Sequence, residues 1–194
     1  MRRLIVGITG ASGVIYGVRL LELLKDVADV ESHLVMSNAA AQTIGLETDY
    51  SAAQVEAMAD VVYRFRDIAA AISSGSFQTE GMVVIPCSMK TLAGIAHSYS
   101  DNLLLRAADV TLKDRRKLVL VPRETPLHLG HLRAMVQVTE MGAIVAPPLP
   151  AFYHRPQTID DIINQTVNRV LDLFAIELED DLFQRWQGAG GRHE

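Results

Sequence analysis

The amino-acid sequence predicts an α/β fold built on a mostly parallel sheet. Short apolar runs rich in branched residues alternate with stretches whose apolar residues recur at helical spacing. Alternation of this kind implies crossover connections and strands that lie parallel. The first apolar run also passes straight into a small-residue turn, Gly7-Ile8-Thr9-Gly10-Ala11-Ser12-Gly13, and from there into a helical pattern, as a βα unit requires.

The elements follow in order. Residues 4–8 read as a buried strand, and 14–24 as a helix with Val14, Val18, Leu21 and Leu24 on one face. A second strand is expected over 30–36, then helices over 39–46 and 52–59. Residues 82–86 read as a buried strand, followed by a helical stretch near 91–97 and a stronger one over 103–113. Residues 117–121 are the fourth strand, 127–141 a helix, and 143–146 a short strand before Pro147-Pro148. The last element, 160–174, is an amphipathic helix with Ile163, Val167, Val170, Leu171 and Phe174 in register. Neither an internal repeat nor a low-complexity tract interrupts the pattern. A single domain is expected over 1–187, with a mobile tail over 188–194.

Composition narrows the function classes. The chain has 194 residues, 49% hydrophobic and 21% charged, which is globular. Its formal net charge of -5 argues against the broad basic field of a nucleic-acid binder. The one cysteine, Cys87, can make neither an internal disulfide nor a metal site by itself, and a buried, inert thiol is the expectation. This usage is compatible with a cytoplasmic protein. The opening Met-Arg-Arg and apolar run superficially suggest a signal peptide, but Thr9-Gly10-Ala11-Ser12-Gly13 breaks its core. No stretch approaches the roughly 20 apolar residues of a membrane helix.

Parallel sheets bind ligands outside the carboxyl ends of their strands, so the turns there matter most. The turn over 7–13 offers close backbone approach, helix N–H groups and the Ser12 hydroxyl, and reads either as an anion or cofactor site or as a tight turn with an N-cap serine. It matches neither the dinucleotide fingerprint nor a P-loop. Ser73-Ser74-Gly75-Ser76 is a second hydroxyl-rich loop. Pro86-Cys87-Ser88-Met89-Lys90-Thr91 follows a strand and precedes a helix, so Ser88 and Thr91 are either ligand donors or caps. Arg123-Glu124 leaves the fourth strand at the same edge, where an arginine can grip phosphate through two parallel hydrogen bonds. His128 and His131, three apart on a helix, lack a third metal ligand nearby and read as capping or surface residues. Tyr153, in an aromatic and basic turn, reads as a phosphate ligand or a packing residue, and Trp186, the only tryptophan, as an anchor for the tail.

Taken together, the motifs resemble the UbiX-type flavin prenyltransferases from about residue 3 to 187. Those that match are Gly7 to Gly13, Met36-Ser37 with Glu47-Thr48-Asp49, Ser73 to Ser76, and Pro86-Cys87-Ser88 with Thr91. Arg106 to Asp109 with Leu112-Lys113, the run LVLVPRETPL from Leu118, Pro150 to His154, and Arg185-Trp186 complete the set. The resemblance implies a three-layer Rossmann-like or flavodoxin-like fold and a homo-oligomer, commonly a dodecamer. It implies reduced FMN as co-substrate and dimethylallyl monophosphate as prenyl donor, with no metal required. Gly10, Ala11, Ser12, Ser37, Ser88, Thr91, Arg106 and Arg123 fall on its flavin-binding positions. Lys113, Arg123, Glu124, Tyr153 and Arg169 fall on its prenyl-phosphate positions, and Glu47, Lys113, Glu124 and Trp186 on its catalytic ones.

The implied reaction joins the prenyl unit to N5 and C6 of the flavin and serves a partner UbiD-type decarboxylase, in the ubiquinone pathway. Lys113, Arg123 and Arg169 would hold the departing phosphate and Tyr153 would donate to it. Glu124 or the released phosphate would take the final proton, and the face of Trp186 would stabilise an allyl cation. Two rival expectations stand beside it: direct flavin-dependent decarboxylation of 3-polyprenyl-4-hydroxybenzoate or another aromatic acid, and a non-catalytic FMN carrier.

Overall fold

The structure, a computed structural model, describes residues 1–188; apart from Gly188, the predicted tail lies outside the described residues. Six parallel strands form one sheet in the order β3-β2-β1-β4-β5-β6. They are β1 Arg2–Ile8, β2 Val30–Met36, β3 Val61–Tyr63, β4 Gly81–Cys87, β5 Lys117–Pro122 and β6 Ile144–Val145. The helices are α1 Val14–Leu24, α2 Asn38–Glu47, α3 Ala52–Glu56, α4 Met89–Ala96, α5 Leu103–Lys113, α6 Leu129–Glu140 and α7 Ile159–Leu173.

Side-chain alternation makes the three layers. Leu4, Val6 and Ile8 of β1, Val83 and Ile85 of β4, and Val119 and Val121 of β5 face one way, against α1, α2 and α7. Ile5, Met82, Val84, Leu118 and Leu120 face the other, against α4 and α5. With both faces covered, the central strands read as unbroken apolar runs rather than alternating ones, which is why they stand out in the sequence.

Most elements lie where the sequence puts them. The strand over 61–63 was not foreseen: it is an edge strand of three residues with neither face fully buried, too short to show a period. Helix α3 ends at Glu56 rather than running to 59. Helix α6 begins at Leu129, because His128 has extended backbone and its Nδ1 accepts the Gly130 N–H at 3.0 Å. His128 is therefore a cap, one of the two roles expected of it.

Candidate active site

Strands β1 and β4 are neighbours in the sheet, while the chain leaves β1 toward β2 on one side and continues from β4 toward β5 on the other. Their carboxyl ends therefore form the topological switch point, where open α/β sheets bind ligands. Turns bearing predicted site residues open around it.

The first, Thr9 to Gly13, is tight for two reasons. A Cβ on Gly10 would lie 2.4 Å from the Ala39 Cβ, so the approach to α2 tolerates only glycine. Gly13 has φ 93°, in the left-handed region, and is itself the N-cap of α1. The serine-cap reading is thus corrected: Ser12 stands one residue before the cap, exposed, and no serine satisfies the helix end. Glu47, at the last position of α2, does so instead. Its Oε2 accepts the Gly13 N–H at 2.8 Å and the Val14 N–H at 3.4 Å. A carboxylate on a helix N-terminus is favourable, so the α1 end already carries a negative partner.

The second and third turns are capped by serines. Ser37 Oγ accepts the Ala40 N–H at 3.1 Å, and the Ser37 N–H reaches the Ile8 carbonyl at 3.0 Å. Ser88 Oγ accepts the Thr91 N–H at 3.3 Å and lies 3.1 Å from Thr91 Oγ1. Ser37 and Thr91 keep a hydroxyl proton free for a ligand, so capping and binding do not compete. The Arg123 N–H donates to the Cys87 carbonyl at 3.2 Å, while its guanidinium has no partner among the described residues. Glu124 beside it is exposed, and its Oε1 accepts the Thr125 N–H at 3.1 Å. Cys87 is fully buried, and burial pushes its thiol well above the usual range, so it is an inert core residue.

The remaining predicted site residues do not join this group within one chain. Helix α5 starts near the carboxyl edge, where the Leu103 N–H meets the Phe65 carbonyl at 3.0 Å, and runs away from it. Arg106, in its first turns, donates to the Ser73 carbonyl at 3.2 Å and to Asp109 at 2.7 Å. Lys113 ends the helix just before β5 begins, at the amino edge, and pairs with Asp114 at 2.7 Å. That hydrogen bond holds the Asp114 carboxyl below its ordinary range.

Tyr153, Arg169 and Trp186 form a separate place. With Gln165, Phe183 and Arg185 they line a cleft of about 670 Å³. Tyr153 meets Trp186 edge-on with ring centroids 6.0 Å apart, and Phe183 at 6.5 Å. Trp186 is 64% exposed. The segment bearing it is tied to α7 by the Leu182 N–H on Asn168 Oδ1 at 3.0 Å, and by Arg185, which grips both oxygens of Asp172 at 2.9 and 2.8 Å. Asp172 also accepts from Arg169 at 2.7 Å. The Arg185 hydrogen bonds, opposed by partial burial and helped by Arg169, hold the Asp172 carboxyl below its usual range. Sequence reasoning missed Asp172, although an aspartate three residues after Arg169 on a helix is a readable ion-pair signal. It also gave no role to Thr9, whose hydroxyl lies between the first and third turns.

The family model described as Flavoprotein matches residues 1–171. The chain is 71% identical over 189 residues to the flavin prenyltransferase UbiX of Escherichia coli (strain K12), covering 97% of this chain and 100% of that one. Among solved structures it is similar to a dodecameric FMN-dependent UbiX-like decarboxylase from Escherichia coli O157:H7, at 56% identity and TM-score 0.92, covering 96% of this chain and 99% of the other. It is equally similar in fold to AnUbiX (PadA1) in complex with FMN and dimethylallyl pyrophosphate, at 51% identity and TM-score 0.92, covering 96% and 98%. The matches span nearly the whole chain and agree with hydroxyl groups and an arginine gathered at the switch point, and the chain belongs to the flavoprotein family, among the UbiX-type flavin prenyltransferases.

Proposed function

We propose that residues 1–187 form a single FMN-binding prenyltransferase domain that moves a dimethylallyl group from dimethylallyl monophosphate to reduced FMN. When bound, reduced FMN supplies the nucleophilic N5 and C6. The chain's own residues do the rest. Gly10, Ala11 and Ser12 lie against the flavin, and Ser37, Ser88, Thr91 and Arg106 assist in holding it. Arg123 grips phosphate at the rim. Glu47 fixes the first turn through the α1 N–H groups and faces the same crevice. Lys113, Arg123 and Arg169 hold the charge of the departing phosphate, Tyr153 donates to it, and Glu124 removes the final proton. The face of Trp186 screens the cationic carbon.

The single observation that carries this reading is that the chain offers two separate places for anions. One is the switch-point crevice with Arg123, and the other is the cleft with Arg169 and Tyr153. A flavin carrier needs only the first. Lys113 lies at the amino edge of the sheet and the Trp186 cleft shares no lining residue with the crevice, so neighbouring copies complete the site. Leu127, Leu129, Leu132 and Val136 around α6, with Leu149, Phe152 and Ile159, are large apolar side chains left exposed. They are the surface a homo-oligomer, here a dodecamer, would cover. No helix among the described residues is long and apolar enough to cross a membrane, and the proposed location is the cytoplasm. The recipient of the product is a UbiD-type decarboxylase. No metal enters this scheme, since three cationic side chains take its place at the leaving phosphate.

The test is anaerobic. Purified protein, reduced FMN and dimethylallyl monophosphate are mixed, and the extracted flavin is weighed by mass spectrometry. A gain of one C5 unit that requires the protein is expected. Unchanged FMN from folded, flavin-loaded protein would overturn the proposal. One solved relative is described as a decarboxylase, so carbon dioxide release from an aromatic acid is the alternative readout.

A further inference from the structure

Strands β1 and β4 pair only from Leu4↔Gly81 to Gly7↔Val84. Two residues further on stands Pro86, which has no N–H and cannot continue the ladder. The two strands should therefore part at the switch point, but they do not. The Thr9 hydroxyl takes the place of the missing rung. It donates to the Pro86 carbonyl at 2.8 Å and accepts the Ser88 N–H at 2.7 Å. The Thr9 N–H reaches the same carbonyl at 3.3 Å. Thr9 is 2% exposed, so no solvent competes for these bonds.

We infer that Thr9 is a positioning residue for the flavin: its buried hydroxyl pins the Gly10-to-Ser12 turn to the Ser88 cap and sets the width of the crevice between them. The inference rests on the flavin assignment of those turns. A staple with both donor and acceptor satisfied is costly to remove, because the part-buried Ser88 N–H then loses its partner. Thr9 touches no ligand in this scheme. It acts through the two turns it joins, and a displacement of either one costs flavin contacts while leaving Tyr153 and Arg169, in the separate cleft, untouched.

The experiment compares Thr9→Val, Thr9→Ser and Ser88→Ala in the full-length protein, reading the Kd for oxidised FMN by quenching of flavin fluorescence. Thr9→Val is nearly isosteric and is expected to weaken FMN binding roughly 10- to 100-fold. Thr9→Ser, which keeps the hydroxyl, should return it to within about threefold. The KM for the prenyl donor at saturating flavin should not move. If Thr9→Val binds FMN as the native protein does while Ser88→Ala does not, the staple is wrong and the flavin site stands. If Ser88→Ala also leaves binding unchanged, the flavin assignment itself falls and takes this inference with it. A measurement on the unmutated protein covers the case in which Thr9→Val fails to fold. The Ser88 amide should exchange slowly with deuterium before FMN is added, and exchange at the rate of an open loop would overturn the inference.

Discussion

The carboxyl edge of the sheet and the Trp186 cleft both present hydroxyl groups, arginine and acidic residues, but they are held in place by different physics. At the edge, every turn is fixed through backbone groups. Gly13 and Val14 are bound by Glu47, Ala40 by Ser37, Thr91 by Ser88, and Ser88 in turn by Thr9. The serine and threonine bonds join neutral groups through short side chains, so they lose little side-chain entropy and respond little to salt. In the cleft, the segment bearing Trp186 is held mainly by side-chain ion pairs among Arg169, Asp172, Asp181 and Arg185, partly exposed to water. Ion pairs of this kind contribute little each, and screening weakens them further. The edge is thus preorganised within one chain, whereas the cleft is more loosely held.

The sharpest way to break that contrast is subunit complementation. Arg123→Ala and Lys113→Ala should each lose about 100-fold in prenyl transfer, one charge-assisted phosphate contact and the orientation it gives being worth about that much. If Lys113 serves a neighbour's crevice, co-assembled mixtures of the two variants should regain a substantial part of the native activity. Mixtures as inactive as their parents would mean that each site is built by one chain. A smaller effect is expected from Arg169→Ala. The KM for the prenyl donor should rise about tenfold or more, with the Kd for FMN unchanged, which separates cleft from crevice. An equal loss in both constants would merge them.

Acid should separate the regions as well. The folded-state pKa of Asp172 is depressed, so the stability it lends is present above the ordinary aspartate pKa of about 4 and is lost as pH falls through the lower, folded value. Trp186 is the only tryptophan and lies on the clamped segment, so its emission and anisotropy should report release there at acid pH. Asp172→Asn should show the released signal already at neutral pH, and a tryptophan signal unchanged by that substitution would sink the clamp. The smallest expected effect is Ser37→Ala, which removes one helix cap and should cost about 1 kcal/mol in unfolding free energy, read by denaturant titration. A loss well beyond this would mean that Ser37 holds more than α2.

The sheet was legible because its central strands are buried on both faces, and the turns because strand, small residues and helix follow one another in the sequence. The edge strand at Val61–Tyr63 was not, since three half-exposed residues carry no period. Gly10, Ser37, Ser88, Thr91 and Arg123 are gathered at one edge by parallel topology alone, so reading them as a group required only the strand order. Residues acting through partners were harder. Glu47 is 34 residues from the N–H of Gly13, and Thr9 is 79 from that of Ser88. No local rule joins such pairs.

By itself, then, the sequence determined the α/β pattern, the family and the cast of hydroxyl and cationic residues, because those follow from local periodicity and short motifs. Only the tertiary structure decided which of them meet. It placed Glu47 rather than Ser12 on the first helix, and put Thr9 in the rung that Pro86 cannot make. It also set Lys113 at the far edge, because a helix that returns to start the next parallel strand must end on the opposite side of the sheet.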